Sequence, residues 1–342
     1  MAALFVAKRQ NARRPRVFKE RVVAIADVPD WECVGRYRLT KDAILRLEAA
    51  LHADLEPSTN RTMSVSSMTK VLVGLRMFSK GNFLSESADI HGISKATAGR
   101  VFNDFLDAVI RNIGNVRLPS TRDEVLRTKV GFFRKCRIPN IIGAVDGTLV
   151  PILAPKDNGV AFICRKGYHA INVMAVCDHE MRFTDIVARW PGSQHDAAVF
   201  DVSTLKDHLE TNQTGILLGD GGYPLRPYLL TPLLNPTTPQ EVAFNKAQIR
   251  GRIVIERSFG LLKSRFRCLH RSEGALQYTP TKCCKIVVAC VKLHNFCIEN
   301  NVPFPADMMM DNDNDNAQAA CQIAQQNEQG QTMRRRIVNM FH

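Results

Sequence analysis

The chain has 342 residues, 45% of them apolar and 23% charged, with a net charge of +13 and a pI near 9.4. Such totals fit an ordinary globular protein with room for two domains, and the positive balance makes a polyanion, most simply nucleic acid, the leading partner class. No apolar run approaches a membrane span, residues 1–7 are too short for a secretory leader, and ten cysteines without regular spacing exclude a disulfide framework, so a reducing compartment is expected.

Residues 8–21 hold Lys8, Arg9, Arg13, Arg14, Arg16, Lys19 and Arg21 against the one acid Glu20. The spacing predicts a solvated basic arm over 1–36, suited to import or phosphate contact. From Leu39 to about Asn115 the apolar periodicity is helical, and 37–135 is expected to form a helical domain. Within it, residues 85–101 read as helix, tight turn, helix. Gly92 supplies the turn, Ser94 an N-cap, and Ala88, Ile93 and Val101 the buried seam. In a DNA-reading version Ser94, Lys95, Thr97 and Arg100 face the groove; otherwise this is a helical packing unit.

From about Pro139 the texture changes to short β-type runs. Strands are expected over 141–149, 169–177 and 183–190, the last two joined at Asp178-His179-Glu180. A helix over 196–209, a strand over 216–219, a Pro-rich loop, a helix over 245–267 and another over 281–300 follow. That order reads as a ribonuclease-H-like α/β fold, a mixed sheet flanked by helices, over 136–302. Beyond it, 303–342 is a low-complexity tail expected to be disordered, although its end, 334–341, is able to dock back as a short helix. Asp311, Asp313 and Asp315 imitate a calcium loop, but Asn316 and Gln322 stand where Gly and Glu are needed. Cys283, Cys290 and Cys297 recur every seven residues beside His294, on one helix face with Ile286, Val287 and Ile298, and read as packed core rather than a zinc site.

Carboxylates in buried strands are costly unless paired or bound to metal. Asp146 lies inside an apolar run and Asp220 ends another. With their strands adjacent and parallel, the two acids project at one edge, roughly 5 Å apart. Glu256 borders the apolar stripe Ile255, Phe259, Leu262 and Phe266 of the long basic helix. It either reaches that edge or pairs with Arg252 one turn back. Asp196 begins the helix after the third strand, as a dipole-stabilising residue or a further metal ligand, with His195 beside it. Such oxygen donors suit Mg²⁺ or Mn²⁺. Lys166, Arg252 and Arg257 are the candidate phosphate contacts.

The series Gly143-Ala144-Val145-Asp146-Gly147-Thr148, Arg165-Lys166-Gly167-Tyr168-His169, Trp190-Pro191-Gly192-Ser193-Gln194-His195-Asp196, Leu218-Gly219-Asp220-Gly221-Gly222-Tyr223-Pro224, Ile255-Glu256-Arg257-Ser258-Phe259-Gly260 and Ala289-Cys290-Val291-Lys292-Leu293-His294-Asn295 resembles the PIF/Harbinger transposase nuclease family. The resemblance covers about residues 37–300. It implies a DDE nuclease dependent on a divalent metal cation, with Asp146, Asp196, Asp220 and Glu256 at the family's acidic positions. Gly221 stands where Ser is common and Gly251 where Thr is common. It also implies nuclear action, with cytoplasm admitted, on DNA, alongside a separate Myb-like DNA-binding protein; a homo-oligomer is left open and no membrane partner is expected. The resulting reading is a two-metal DNA endonuclease, with ions roughly 3.5–4 Å apart, bridged by Asp146 and held by Asp220 and Glu256. The rival is a domesticated nuclear protein that binds DNA or recruits a partner without cutting. A metabolic phosphohydrolase leaves the positive charge without a role.

Overall fold

A computed structural model describes residues 25–57, 64–81, 84–304 and 327–341. The basic run at 8–21 and the acids Asp311, Asp313 and Asp315 lie outside the described residues. Among the described residues six α-helices precede the first strand: α1 (Asp30–Tyr37), α2 (Lys41–Leu55), α3 (Ser67–Lys80), α4 (Leu84–Ile90), α5 (Lys95–Asn112) and α6 (Arg122–Cys136). Thr40, Ser66, Ser94 and Thr121 each start a helix by accepting a first-turn backbone N–H. The α4–α5 pair has the expected helix-turn-helix shape. Gly92 turns at φ 61°, and Ala88, Ala98 and Val101 close a small core on which Ile93 packs.

The sheet follows as β1 (Ile141–Pro151), β2 (Ala170–Cys177), β3 (Phe183–Pro191), β4 (Ile216–Leu218) and β5 (Leu229–Leu230), in the order β3-β2-β1-β4-β5. β1 is antiparallel to β2 and parallel to β4, which is the ribonuclease-H-like arrangement expected. One face is covered by α9 (Pro239–Arg265) and α10 (Pro280–Glu299), the other by α7 (Asp196–Asp201) and α8 (Thr204–Asn212). The buried apolar cluster on the first face continues without a break into α2, α3 and α5, so helical layer and sheet share one core. Phe78 of α3 meets Phe266, just beyond α9, edge to face at 6.0 Å. No helix among the described residues is long and apolar enough to cross a membrane.

Several elements differ from expectation for local reasons. The helix expected over 196–209 is two helices, because the Ser203 hydroxyl donates to Phe200 O at 2.7 Å and accepts from Lys206 N. The helix expected from 245 begins at Pro239, where Thr238 and Glu241 form a reciprocal capping box and Pro occupies the first turn. The Pro-rich loop hides β5, whose edge is covered by α11 (Glu328–Val338). The tail is therefore not disordered throughout: Ile337 and Val338 are buried, and Arg334 donates to Pro232 O at 3.2 Å.

The motif end His294-Asn295 is a clamp. Asn295 is fully buried, takes the Phe183 N–H at 2.8 Å, and donates to Phe183 O at 2.7 Å and Asn115 O at 3.0 Å. It thereby ties α10 to the start of β3 and to the chain leaving α5. Buried His294 has its pKa pushed down to about 3 by desolvation and stays neutral, its Nε2 3.1 Å from Met181 O. Cys283, Cys290 and Cys297 are buried along the same helix.

Helices α3 and α5 cross where Gly74 has no side chain; an added Cβ would lie 2.0 Å from the Phe105 ring. Gly74→Ala is expected to cost roughly 1–3 kcal/mol by overpacking. Urea unfolding measures this, and an unchanged midpoint would contradict such close packing.

Candidate active site

Three strands deliver acids to one edge of the sheet. Because β2 is antiparallel to both β1 and β3, strands β1, β3 and β4 all run toward that edge. Ala144 of β1 pairs with Leu218 of β4, and continuing the register by two residues sets Asp146 beside Asp220. Asp196 opens α7 after β3. Its carboxylate lies directly over Gly147, where a Cβ would come within 2.1 Å of Oδ1. This is why the residue after Asp146 has no side chain.

Asp146 is 3% exposed. Burial, reinforced by the charges of Asp220 and Asp196 and opposed by Arg252 and by the Gly147 N–H, pushes its pKa up to about 7. Burial also raises Asp196, with Asp220 adding to it, while Asn172, Arg165 and His195 pull it down. The fields of all three acids reach the buried Tyr223 hydroxyl, which has no hydrogen-bond partner among the described residues.

Helix α9 meets this edge with a polar ridge at i, i+4 and i+8: Gln248, Arg252 and Glu256. Gln248, fully buried, donates to Gly219 O at 2.7 Å and so pins the backbone immediately before Asp220. Arg252 donates to Asp146 Oδ2 at 3.3 Å and to Glu256 Oε1 at 2.8 Å. Of the two expectations for Glu256, the structure shows the pairing with Arg252, whose guanidinium also contacts Asp146. Arg252 was expected to meet phosphate; instead it is held between two acids.

Other expected residues are dispersed. Arg257 is exposed on α9, next to the ridge. Lys166 is exposed in the tight turn before Gly167, yet the cation whose field reaches Asp196 is its neighbour Arg165. Not every cation of the basic helix faces solvent. Lys263 is buried and donates to Leu149 O, Arg265 is buried against Val302 O, and Arg267, past the helix end, pairs with Glu273. Ser94, Lys95, Thr97 and Arg100 sit on the first turns of α5, in the helical layer, away from the acids; Ser94 and Thr97 share the cap.

Asn172 and Gln248 escaped the sequence reading. Asn172 donates to Asp196 Oδ1 at 2.7 Å and to Gln194 O at 2.8 Å, and so orients Asp196. Its only signal is a lone amide within the apolar run of β2. Gln248 had a clearer one, its spacing of two helical turns from Glu256.

In donor type and charge the acids fit a hard divalent cation, since all are carboxylate oxygens and ionised Asp146 needs a compensating charge. Among the described residues no three His, Cys, Asp or Glu side chains are gathered to hold one ion, and the Arg252 guanidinium supplies the positive charge at Asp146.

With these relations in view, the likeness to known proteins is specific. Residues 145–295 match the model of the DDE superfamily endonuclease family, spanning all the acids. The chain is 35% identical over 279 residues to the Homo sapiens protein named "Putative nuclease HARBI1", covering 81% of this chain and 80% of that one. It is 32% identical to the Xenopus laevis protein of the same name, with the same coverage, and 28% identical to the Arabidopsis thaliana "Protein ALP1-like", covering 72% of this chain and 64% of that one. No solved structure matches it.

The Asp146 carboxyl ionises near 3.8 when unfolded and near 7 when folded. Between those values the folded state holds a proton that the unfolded chain has lost. This stabilising contribution is complete at low pH and disappears as pH rises through 7. Asp146→Asn is expected to be more stable than the parent at pH 8, by at most about 4 kcal/mol, with the advantage gone near pH 4. Urea unfolding at the two pH values checks this; a pH-independent difference would contradict it.

Proposed function

The chain belongs to the Harbinger-derived DDE superfamily endonucleases, and from that premise we propose that it cuts DNA phosphodiester bonds with the help of Mg²⁺ or Mn²⁺. The observation that carries this reading is the meeting of Asp146, Asp196 and Asp220 at one sheet edge, faced by the Gln248-Arg252-Glu256 ridge. Asp146, Asp220 and Glu256 would hold the metal, with Asp196 as an accessory ligand, and a divalent cation bound there would supply water activation and charge neutralisation at the phosphate. The protein's own groups do the rest. Asn172 fixes the Asp196 carboxylate, Gln248 fixes the Asp220 backbone, and Arg165, Lys166 and Arg257 receive the DNA backbone. Ser94, Lys95, Thr97 and Arg100 offer a second DNA contact on α5. A Myb-like DNA-binding partner, self-association, and nuclear as well as cytoplasmic residence complete the proposal.

The experiment is nicking of supercoiled plasmid in Mg²⁺ or Mn²⁺. Asp146→Asn and Glu256→Gln are each expected to lower the rate at least ~100-fold, the order of loss typical when a group stabilising the transition state is removed. Equal activity in parent and variants would remove these acids from the reaction.

A second reading is favoured by one observation: Arg252 already pairs with both Asp146 and Glu256. It makes the chain a DNA-binding or partner-recruiting protein that never cuts. DNA affinity indifferent to metal and to loss of the acids, without nicking, would support it.

A further inference from the structure

The loop joining β1 to β2, residues 152–169, emerges at the same edge of the sheet as the acids. It carries exposed apolar side chains on a fixed frame. Val160 is 78% exposed, Leu153 52% and Ile163 41%. Ile152 N donates to His169 O at 2.9 Å, and Leu153 N to Leu276 O at 3.1 Å. Cys164 is buried with Leu149 and Ala170, and Tyr168 packs on that cluster beneath Arg271, 4.6 Å from its ring centroid. Ser193 N donates to Ala161 O at 3.3 Å, which couples the loop to the segment leading into Asp196. A Cβ on Gly192 would come within 2.9 Å of Phe162 O, so loop and segment are in close contact. The exposed apolar tip is thus presented by an anchored scaffold rather than by slack chain.

Its charge is one-sided. Residues 152–169 contain Lys156, Arg165 and Lys166 against the single acid Asp157, and the Arg165 field reaches Asp196. Cations that meet phosphates, alternating with apolar side chains that press on bases, are the chemistry of a DNA-seating element. We propose that the β1–β2 loop seats the DNA flanking the scissile phosphate, with Val160, Ile163 and Leu153 against the bases or groove wall and Lys156, Arg165 and Lys166 on the backbone. This rests on the reading of the chain as a DNA-cutting protein and deepens it. Continuity with the acid edge and the excess of cations favour DNA over a second copy of the chain.

The test uses the full chain and a short mixed-sequence duplex. In an Asp146→Asn background, where cutting is expected to stop, Val160→Trp places a fluorophore at the tip. Its emission is expected to be quenched on adding duplex, beyond the change from native Trp31 and Trp190 in the same background without the new Trp. In the otherwise unaltered chain, Val160→Ser with Ile163→Ser is expected to weaken duplex affinity roughly 5–30-fold with little change in salt dependence, as for lost apolar contacts worth about 1–2 kcal/mol. Lys156→Gln with Lys166→Gln is expected to lower the salt slope by about 2. These positions are exposed, so an unchanged melting temperature separates a binding defect from misfolding.

No quench, unchanged affinity and unchanged salt slope, with the parent still nicking plasmid, would overturn the loop assignment and leave the nuclease reading intact. Quench and weakened binding without any nicking by the parent would keep the loop as a DNA seat and remove the nuclease. A change in emission that follows protein concentration rather than DNA would overturn the proposal in favour of a second copy.

Discussion

A carboxylate in the middle of a sheet dictates much of what surrounds it. Asp146 sits on the central strand, almost without solvent, and its ionised form is stabilised only by what the fold brings to it. Arg252 is the strongest of those influences, and it comes from a helix more than a hundred residues away in sequence. Leaving an ionised carboxyl unpaired there would cost several kcal/mol. The position of α9 across β1 is therefore tied to the charge at Asp146 as well as to the apolar stripe of Ile255, Phe259 and Leu262 beneath it. Glu256 shares the same guanidinium, which links the helix acid to the strand acid without direct contact.

The same helix divides its polar residues between two tasks. Gln248, Arg252 and Glu256 serve the acid edge, while Lys263 and Arg265 are spent on backbone carbonyls inside the protein. The helical layer supports this arrangement from behind. Its aromatic residues run into the α9 end at Phe78 and Phe266, and Asn295 fastens α10 to β3 and to the exit of α5.

Strands β1 to β4 were legible because each is a short apolar run, and the expected adjacency of Asp146 and Asp220 rested on the parallel pairing of β1 with β4. What was lost to inspection has physical reasons. Pro239 resembles a loop residue until Thr238 and Glu241 are seen to cap a helix that it begins. The break between α7 and α8 depends on one hydroxyl, that of Ser203, and β5 on just two residues. The space at Gly251 is taken by its neighbour: a Cβ there would lie 2.3 Å from Leu218 Cδ1. Asn172 acts through hydrogen bonds to residues more than twenty positions away, which no local pattern announces, whereas Gln248 is marked only by its two-turn spacing from Glu256. The exposed face of α5 was likewise readable as a surface, but surface alone does not name a ligand.

The central claim is that these acids form one cation-binding centre. Anomalous diffraction from crystals of the full chain grown with Mn²⁺ tests it most directly. The expected result is anomalous density at ordinary metal–oxygen distance, about 2.0–2.2 Å, from carboxylates of Asp146 and Asp220, with Arg252 drawn away from Asp146. Saturating Mn²⁺ that leaves the Arg252–Asp146 contact intact, with no density among the acids, would contradict it.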